Sequence, residues 1–343
     1  MTRRDGNNFD LLRFLLASVV FLVHAHVLSG EPQLAFLADY FSSDYAVKAF
    51  FVVSGFLIFQ SHDRSHSLRD YFGKRVRRIY PAYFAIVLIC AVGGMALTTL
   101  PTGEYLTGGL AAYLVANLTF LNFLAPDLPG VFKDNIFQAA NGALWTIKIE
   151  VMFYLLVPVI AYLFRRIGTV PVLFALYAAS VAYWAMLSDF ADRSGAEFYR
   201  MLARQLPGQL SYFMVGALLL YYGDRLRRWL PVAAAIAVPL LVLRLPVIHP
   251  ALEPLLLGCL VIYLANGIGY LGNFGRYGDF SYGIYIIHFP VVQVLVAWGV
   301  FGNPWLGLVC ASLVILIGAW LSWHIVEKPF LNRSSHYVVA AAK

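Results

Sequence analysis

FDLLRFLLASVVFLVHAHVLSG, residues 9–30, decides how the rest of the chain is read. It is about 20 residues of mostly apolar sequence, enough for a helix to cross a bilayer. Two ionisable residues, Arg13 and His24, interrupt it. Eleven residues at roughly 100° each make about 1100°, three turns and about 20°, so the two share one helix face about 16 Å apart along the axis. A polar stripe within a span is expensive in lipid and faces the protein interior or a wet cavity, which makes it a functional hypothesis by default. Taken singly, Arg13 could snorkel to the inner interface and His24 sit near the outer one. The shared face argues against that reading for the pair.

Composition extends the reading to the whole chain. Of 343 residues, 61% are hydrophobic and 13% charged, about half the charge of a soluble protein, and the mean hydropathy is +0.73. Apolar windows of about 20 residues recur from end to end, which predicts an all-α, polytopic transmembrane helical bundle with no sizeable soluble domain. The net charge of +7 comes from 25 Lys and Arg against 18 Asp and Glu. Because the basic residues cluster in short connections between apolar runs, the charge marks membrane topology and not nucleic-acid binding. Cys90, Cys259 and Cys310 lie inside apolar stretches, as small buried hydrophobes with neither disulfide nor metal spacing. The first apolar run follows Arg3 and Arg4 but lacks a small-residue cleavage site, so it is read as a retained signal-anchor span.

Taken in order, 9–30 runs outward from a cytosolic N-terminus to an acidic loop with Glu31, Asp39 and Asp44, and 46–60 returns. SHDRSHSLRDYFGKRVRRIYP follows, with Arg64, Arg69, Lys74, Arg75, Arg77 and Arg78, and fixes that connection in the cytosol. The next span, 79–100, starts with Pro81 near its N-terminus, where a missing N–H costs least. The apolar stretch 105–124 is read as one re-entrant or surface helix, because a crossing there would put Arg165 and Arg166 outside. Spans at 143–164, 170–187, 206–222, 230–247, 252–271, 280–300 and 304–326 then alternate, about ten in all, with both termini cytosolic. Residues 1–333 form a single membrane-embedded domain and 334–343 a short cytosolic tail. No internal repeat of the transporter kind is visible.

Glu150, in GALWTIKIEVMFYLLVP, is a second charge within a span, about as deep from the outer end as His24. A carboxylate beside an imidazole can orient the ring and raise its basicity, as a general base requires; the alternative is a structural partner for a nearby Arg, Lys or Tyr. Arg75 and Arg78, at i and i+3, share a face at the cytosolic end of their helix. Their guanidinium forks suit a phosphate-rich ligand, though the run by itself points first to anionic lipid headgroups. Ser54 and Gly55 fit close helix packing, and Ser54 lies outside any G-x-S-x-G elbow. His288, in SYGIYIIHFP, is a cavity-lining or a structural histidine. His24 and His26 point about 200° apart on a helix and cannot chelate one ion, and no metal is assigned.

Arg13-x10-His24, FFVVSGFLI, KRVRRIYP, LWTIKIEVMFYLLVP, SYGIYIIHFP and VEKPF (326–330) stand in the order and positions of the acyltransferase-3 family of integral membrane acyltransferases, which the chain resembles over nearly its whole length. The resemblance implies O-acylation of a carbohydrate, or another small acceptor, in bacteria, with acyl-CoA, most commonly acetyl-CoA, as donor co-substrate. It implies that His24 is catalytic and that Arg13, Arg75, Arg78 and Glu150 stand on positions tied to activity. The chain departs from the family's frequent S-x-x-x-E-E pattern, with Thr146 at its first position and Val151 at its second acid. It also carries no appended hydrolase-like domain, so transfer is expected to finish within the membrane domain.

Together these readings place the chain in the bacterial inner membrane, multi-pass, acting on a carbohydrate or glycolipid acceptor amid membrane lipids. Arg75, Arg78 and Arg13 would bind the CoA donor. His24, oriented by Glu150, would deprotonate the acceptor hydroxyl or take the acyl group itself, with Arg13 stabilising the carbonyl charge. Ser54, Trp145, Tyr154 and His288 would line the substrate. The alternative class is a proton-coupled transporter or flippase of a lipid-linked sugar, which buried Arg, His and Glu would also serve.

Overall fold

The computed structural model describes residues 6–243 and 249–331. The tail read at 334–343, the N-terminal Arg3 and Arg4, and the end of the 230–247 stretch lie outside the described residues. The described residues are mostly helical: α1 (Phe9–Ser29), α2 (Ala35–Tyr40), α3 (Ser43–Asp63), α4 (Leu68–Leu97), α5 (Thr102–Thr107), α6 (Leu110–Leu118), α7 (Leu144–Ile167), α8 (Thr169–Ser194), α9 (Glu197–Ala203), α10 (Leu206–Leu226), α11 (Leu230–Leu243), α12 (His249–Ile262), α13 (Ser281–Ala297) and α14 (Pro304–Leu321). Among the described residues the only extended pairing is an isolated bridge between Asp127 and Ala139.

Among the described residues each stretch read as a span contains a helix, and seven of those ten helices meet the length and hydropathy of a crossing. Phe9–Ser29, Pro32–Asp63, Leu68–Leu97, Leu144–Ile167, Thr169–Ser194, Pro250–Gly267 and Pro304–Phe330 are long and apolar enough to cross a membrane, and α11 and α13 are apolar but shorter. Ile89, Val92, Phe174, Val242 and Leu313 are each more than half exposed on these helices. Water would penalise that outward display; lipid accepts it. The protein is a multi-pass membrane protein.

Besides shifts of a few residues at several helix ends, two stretches differ in kind from the sequence reading. The stretch 105–124 is not one helix: Gly108 and Gly109, the latter at φ 128°, break it into α5 and α6. Nine residues of α6 rise only about 13 Å against a hydrocarbon core of about 30 Å, so this stretch does not cross. α4 begins at Leu68, well before residue 79, so the basic run is helical and Pro81 sits inside the helix. Having no N–H, Pro81 makes no helix bond to the turn before it.

Packing divides the chain into two compact units, one from residues up to Leu12 with Val47–Phe72 and Ile149–Asn273, the other from Arg13–Ala46, Gly73–Lys148 and Phe274 onward. In the first, α3 and α10 meet backbone to backbone. A Cβ at Gly55 would run into the carbonyl of Phe213, and one at Gly216 into that of Val52. Around this crossing Phe153 stacks on Phe213 at 4.1 Å, with Phe51 and Phe59 against them. Gly55→Ala is therefore expected to cost about 1–3 kcal/mol, read as a fall of several degrees in the unfolding temperature in detergent. An unchanged temperature would refute so close a crossing.

Two further features hold the first unit. Lys48 Nζ donates to Glu253 Oε1 at 2.7 Å and Tyr212 Oη to the same oxygen at 2.5 Å, a buried pair that lipid would not tolerate unmatched. Asn8, just ahead of α1, donates through its backbone N–H to Ala265 O at 2.9 Å and through Nδ2 to Leu264 O and Gly269 O, and accepts from the Leu271 N–H. These carbonyls are available because α12 ends in a π-helical turn, Tyr263–Gly267.

In the second unit the segment 119–143 is bound to α13. Pro290 cannot donate to Ile286 O, and Asn141 Nδ2 supplies that bond at 2.9 Å. Fully buried Gln293 donates to Phe137 O and Ala139 O and accepts from Asn135 Nδ2. Phe120 and Phe132 hold positive φ, 62° and 56°, a strained conformation for aromatic residues that these anchors sustain.

Candidate active site

The second unit gathers two polar clusters. In the first, α1 contributes Arg13, α4 contributes Arg78, and the link before α13 contributes Asp279. The π-helical turn Ser322–Glu327 that ends the α14 stretch contributes Glu327. Arg13 Nη1 and Arg78 Nη2 both donate to Asp279 Oδ2. Arg78 Nη1 donates to Glu327 Oε2 at 3.1 Å, and Ser322 Oγ donates to Glu327 Oε1 at 3.0 Å. The Ser281 backbone N–H and hydroxyl donate to Asp279 Oδ1, so this carboxylate also caps the N-terminus of α13.

Both carboxylate side chains are 1% exposed, and the Arg13 and Arg78 side chains 19% and 13%. Two cations and two anions cancel, which is the condition for keeping any of them in a membrane interior. The Arg78 guanidinium lies 5.7 Å from the Tyr282 ring centroid and 5.9 Å from that of Trp323. The turn that presents Asp279 needs a glycine: Gly278 has φ 130°, and a Cβ there would strike the Trp323 indole.

The second cluster lies along α1 from Arg13. His24 Nδ1 and His288 Nε2 are hydrogen-bonded at 2.8 Å, with ring centroids 5.1 Å apart. His288 is fully buried, and its Nδ1–H donates to Ile284 O at 3.2 Å. The Phe289 ring meets His24 edge-on at 6.0 Å, and Thr146 Oγ1 and Tyr285 Oη are hydrogen-bonded at 2.7 Å beside it. A half-buried imidazole held at one nitrogen, in apolar surroundings, can accept a proton from a hydroxyl brought to its other nitrogen.

The structure thus joins His24 to His288, and Arg13 to Arg78 through Asp279. Arg75 lies one turn before Arg78, half-buried, and Trp145 is half-buried at the start of α7. Ser54, Glu150 and Tyr154 belong to the first unit. There Glu150 Oε1 accepts from Tyr154 Oη at 2.7 Å, while Tyr154 O accepts from Tyr71 Oη at 3.1 Å; Ser54 is half-buried beside the Gly55 crossing. The tyrosine partner is the structural alternative that the sequence left open for Glu150. Sequence reasoning missed Asp279 and Glu327, and Lys48 and Glu253 in the first unit. A signal existed: buried arginines require acids, and Asp279 and Glu327 are the acids flanking the last two apolar runs.

A family model described as an acyltransferase domain matches residues 7–324, from just before α1 into the π-helical turn after α14. The chain belongs to the acyltransferase-3 family. It is 30% identical to nodulation protein 10 of Rhizobium leguminosarum bv. viciae, over 95% of this chain and 93% of that protein. It is 28% identical to the O-acetyl transferase of Shigella phage Sf6, over 96% of this chain and 97% of the phage protein. No solved structure matches. The acyltransferase-3 match takes in Arg13, His24, Arg75, Arg78, Asp279 and His288 and stops short of Glu327.

Proposed function

We propose that this enzyme moves an acyl group, acetyl first, from cytosolic acyl-CoA to a hydroxyl of a cell-surface or secreted carbohydrate or glycolipid, with His24 as general base. The observation that carries the reading is the imidazole of His24, held by His288 inside a membrane-length helix of an acyltransferase-3 chain. The phage relative's name, an O-acetyl transferase, supports both the oxygen acceptor and the acetyl group. Basic residues at the α3–α4, α7–α8 and α10–α11 connections support a bacterial inner-membrane topology with those connections and both termini in the cytosol.

His24 takes the proton of the acceptor hydroxyl as its oxygen attacks the thioester carbonyl. The C–S bond breaks, and the departing CoA thiolate receives that proton back from His24. The neutral Arg13–Asp279–Arg78–Glu327 cluster holds α1, α4, α13 and the end of the α14 stretch together beneath this chemistry. The donor's phosphates require net positive charge, and Lys74, Arg75 and Arg77, within one turn of α4, fit that need. An extended thiol arm from there would run past Arg13 toward His24, an axial rise of about 16 Å.

The test is transfer of labelled acetyl from acetyl-CoA into glycan by membranes carrying the protein. Arg75→Ala is expected to raise the KM for acyl-CoA about tenfold or more, the worth of one charge-assisted hydrogen bond, with kcat within about twofold. An unchanged donor KM would remove Arg75 from the donor site, and absence of transfer with every acyl-CoA offered would refute the reading.

A further inference from the structure

We propose that His288 is a positioning residue that sets the tautomer of His24, making Nε2 of His24 the nitrogen that takes the acceptor's proton. The inference rests on His24 being the general base. Its argument runs from one fixed end of a hydrogen-bond chain. The Ile284 carbonyl can only accept, so the proton between it and His288 sits on His288 Nδ1. A neutral imidazole carries a single N–H, so His288 Nε2 is bare and can only accept. The atom facing it at 2.8 Å, His24 Nδ1, must therefore donate. His24 in turn has its one N–H spent, and its Nε2 presents a lone pair.

The premise that His288 is neutral follows from its surroundings. It is fully buried, its hydrogen bonds go to backbone groups and to the other imidazole, and among the described residues no carboxylate offsets a cation there. When His24 takes the acceptor's proton, the new charge sits on a ring whose Nδ1–H already points at the lone pair of His288. That bond strengthens as the charge forms. The arrangement does with a neutral base what a carboxylate does in other general-base pairs, and it places no permanent charge in the membrane.

α13 is fixed on both sides of His288 for this task. Asn141 occupies the Ile286 carbonyl left open by Pro290, Tyr285 is tied to Thr146, and Phe289 packs where Gly142 leaves no room for a side chain. The His288 ring therefore has a settled backbone beneath it, and a rotamer of its own locked by the Ile284 carbonyl.

Two variants of the full-length protein test this, with kcat and the KM for acetyl-CoA measured for each. His288→Gln can present an amide oxygen where Nε2 now sits and so accept from His24 Nδ1–H; His288→Leu fills similar space and accepts nothing. The Leu variant is expected to lose about 100-fold in kcat with donor KM within about twofold, and the Gln variant to recover at least about tenfold of that loss. The 15N spectrum of histidine-labelled parent protein is expected to place the His24 proton on Nδ1 and leave Nε2 bare. Equal losses in both variants, an undiminished kcat in the Leu variant, or a proton on Nε2 in the parent would each overturn the inference. If the Leu variant does not fold, the Gln variant and the parent spectrum still decide it: a Gln variant as slow as His24→Ala, or a protonated Nε2, overturns it. An active His24→Ala variant would sink the general-base reading itself. An inactive one beside a fully active His288→Leu would sink only the role of His288.

Discussion

His24→Ala is expected to abolish transfer, lowering kcat by about three orders of magnitude, while the chain remains inserted and folded. The magnitude is that of removing a positioned general base, about 10²- to 10⁴-fold, with nothing else at the site able to serve. His288 is fully buried, so the acceptor hydroxyl that meets His24 does not reach it, and a proton taken there would leave an imidazolium in apolar surroundings. Folding survives because only one side of the hydrogen bond is lost. The deletion leaves His288 Nε2 unsatisfied, a cost of about 1–3 kcal/mol, which a membrane bundle of this size tolerates. Labelled acetyl transfer by the purified variant, read beside its size-exclusion profile, checks both halves. Activity above about a tenth of the parent's would return His24 to a structural role.

Asp279→Ala is expected to have the largest effect on stability. Asp279 meets both guanidiniums and caps α13, and its side chain is 1% exposed. Removing one member of a buried ionic group costs about 3–5 kcal/mol, because the remaining charges stay buried; loss of the cap adds about 1 kcal/mol. Against a total stability of about 5–15 kcal/mol, little folded protein should accumulate. Asp279→Asn, which keeps the hydrogen bonds from Ser281, should fall between. Adding Arg13→Met to Asp279→Asn should recover part of the loss, since the excess cation goes with it. The measurement is yield of monodisperse protein and unfolding temperature in detergent. An Asp279→Ala protein as stable as the parent would mean that the four charges do not depend on one another.

The long apolar runs carried most of the fold. Each needed only length and hydropathy, which are local properties, and each stands in the structure as a helix. Turn chemistry carried less: Gly108–Gly109 lay in view as a break, yet 105–124 read as one helix because its apolar composition outweighed two glycines. Within the site, Arg13 and His24 stood out because a charge in an apolar run is visible on its own. Their partners did not. Asp279 and Glu327 sit in short junctions where an acid is unremarkable, and only the fold brings them to Arg13 and Arg78. Depth along a helix suggested that Glu150 orients His24, but depth alone does not name the hydrogen-bond partners inside each unit. The structure gives Glu150 the Tyr154 hydroxyl and His24 the ring of His288.

The order in which a ribosome delivers these residues adds a consequence. Arg13 and Asp279 are 266 residues apart, His24 and His288 264, and Arg78 and Glu327 249. At about 5–20 residues per second, between about ten seconds and a minute passes after α1 enters the membrane before its partners exist. During that interval a nascent first helix carries an arginine and a histidine that lipid rejects, so the insertion machinery or a chaperone must shelter it. A chain cut anywhere before residue 279 never leaves that state. Such fragments should be retained by the insertion apparatus and degraded, however many correctly apolar helices they contain.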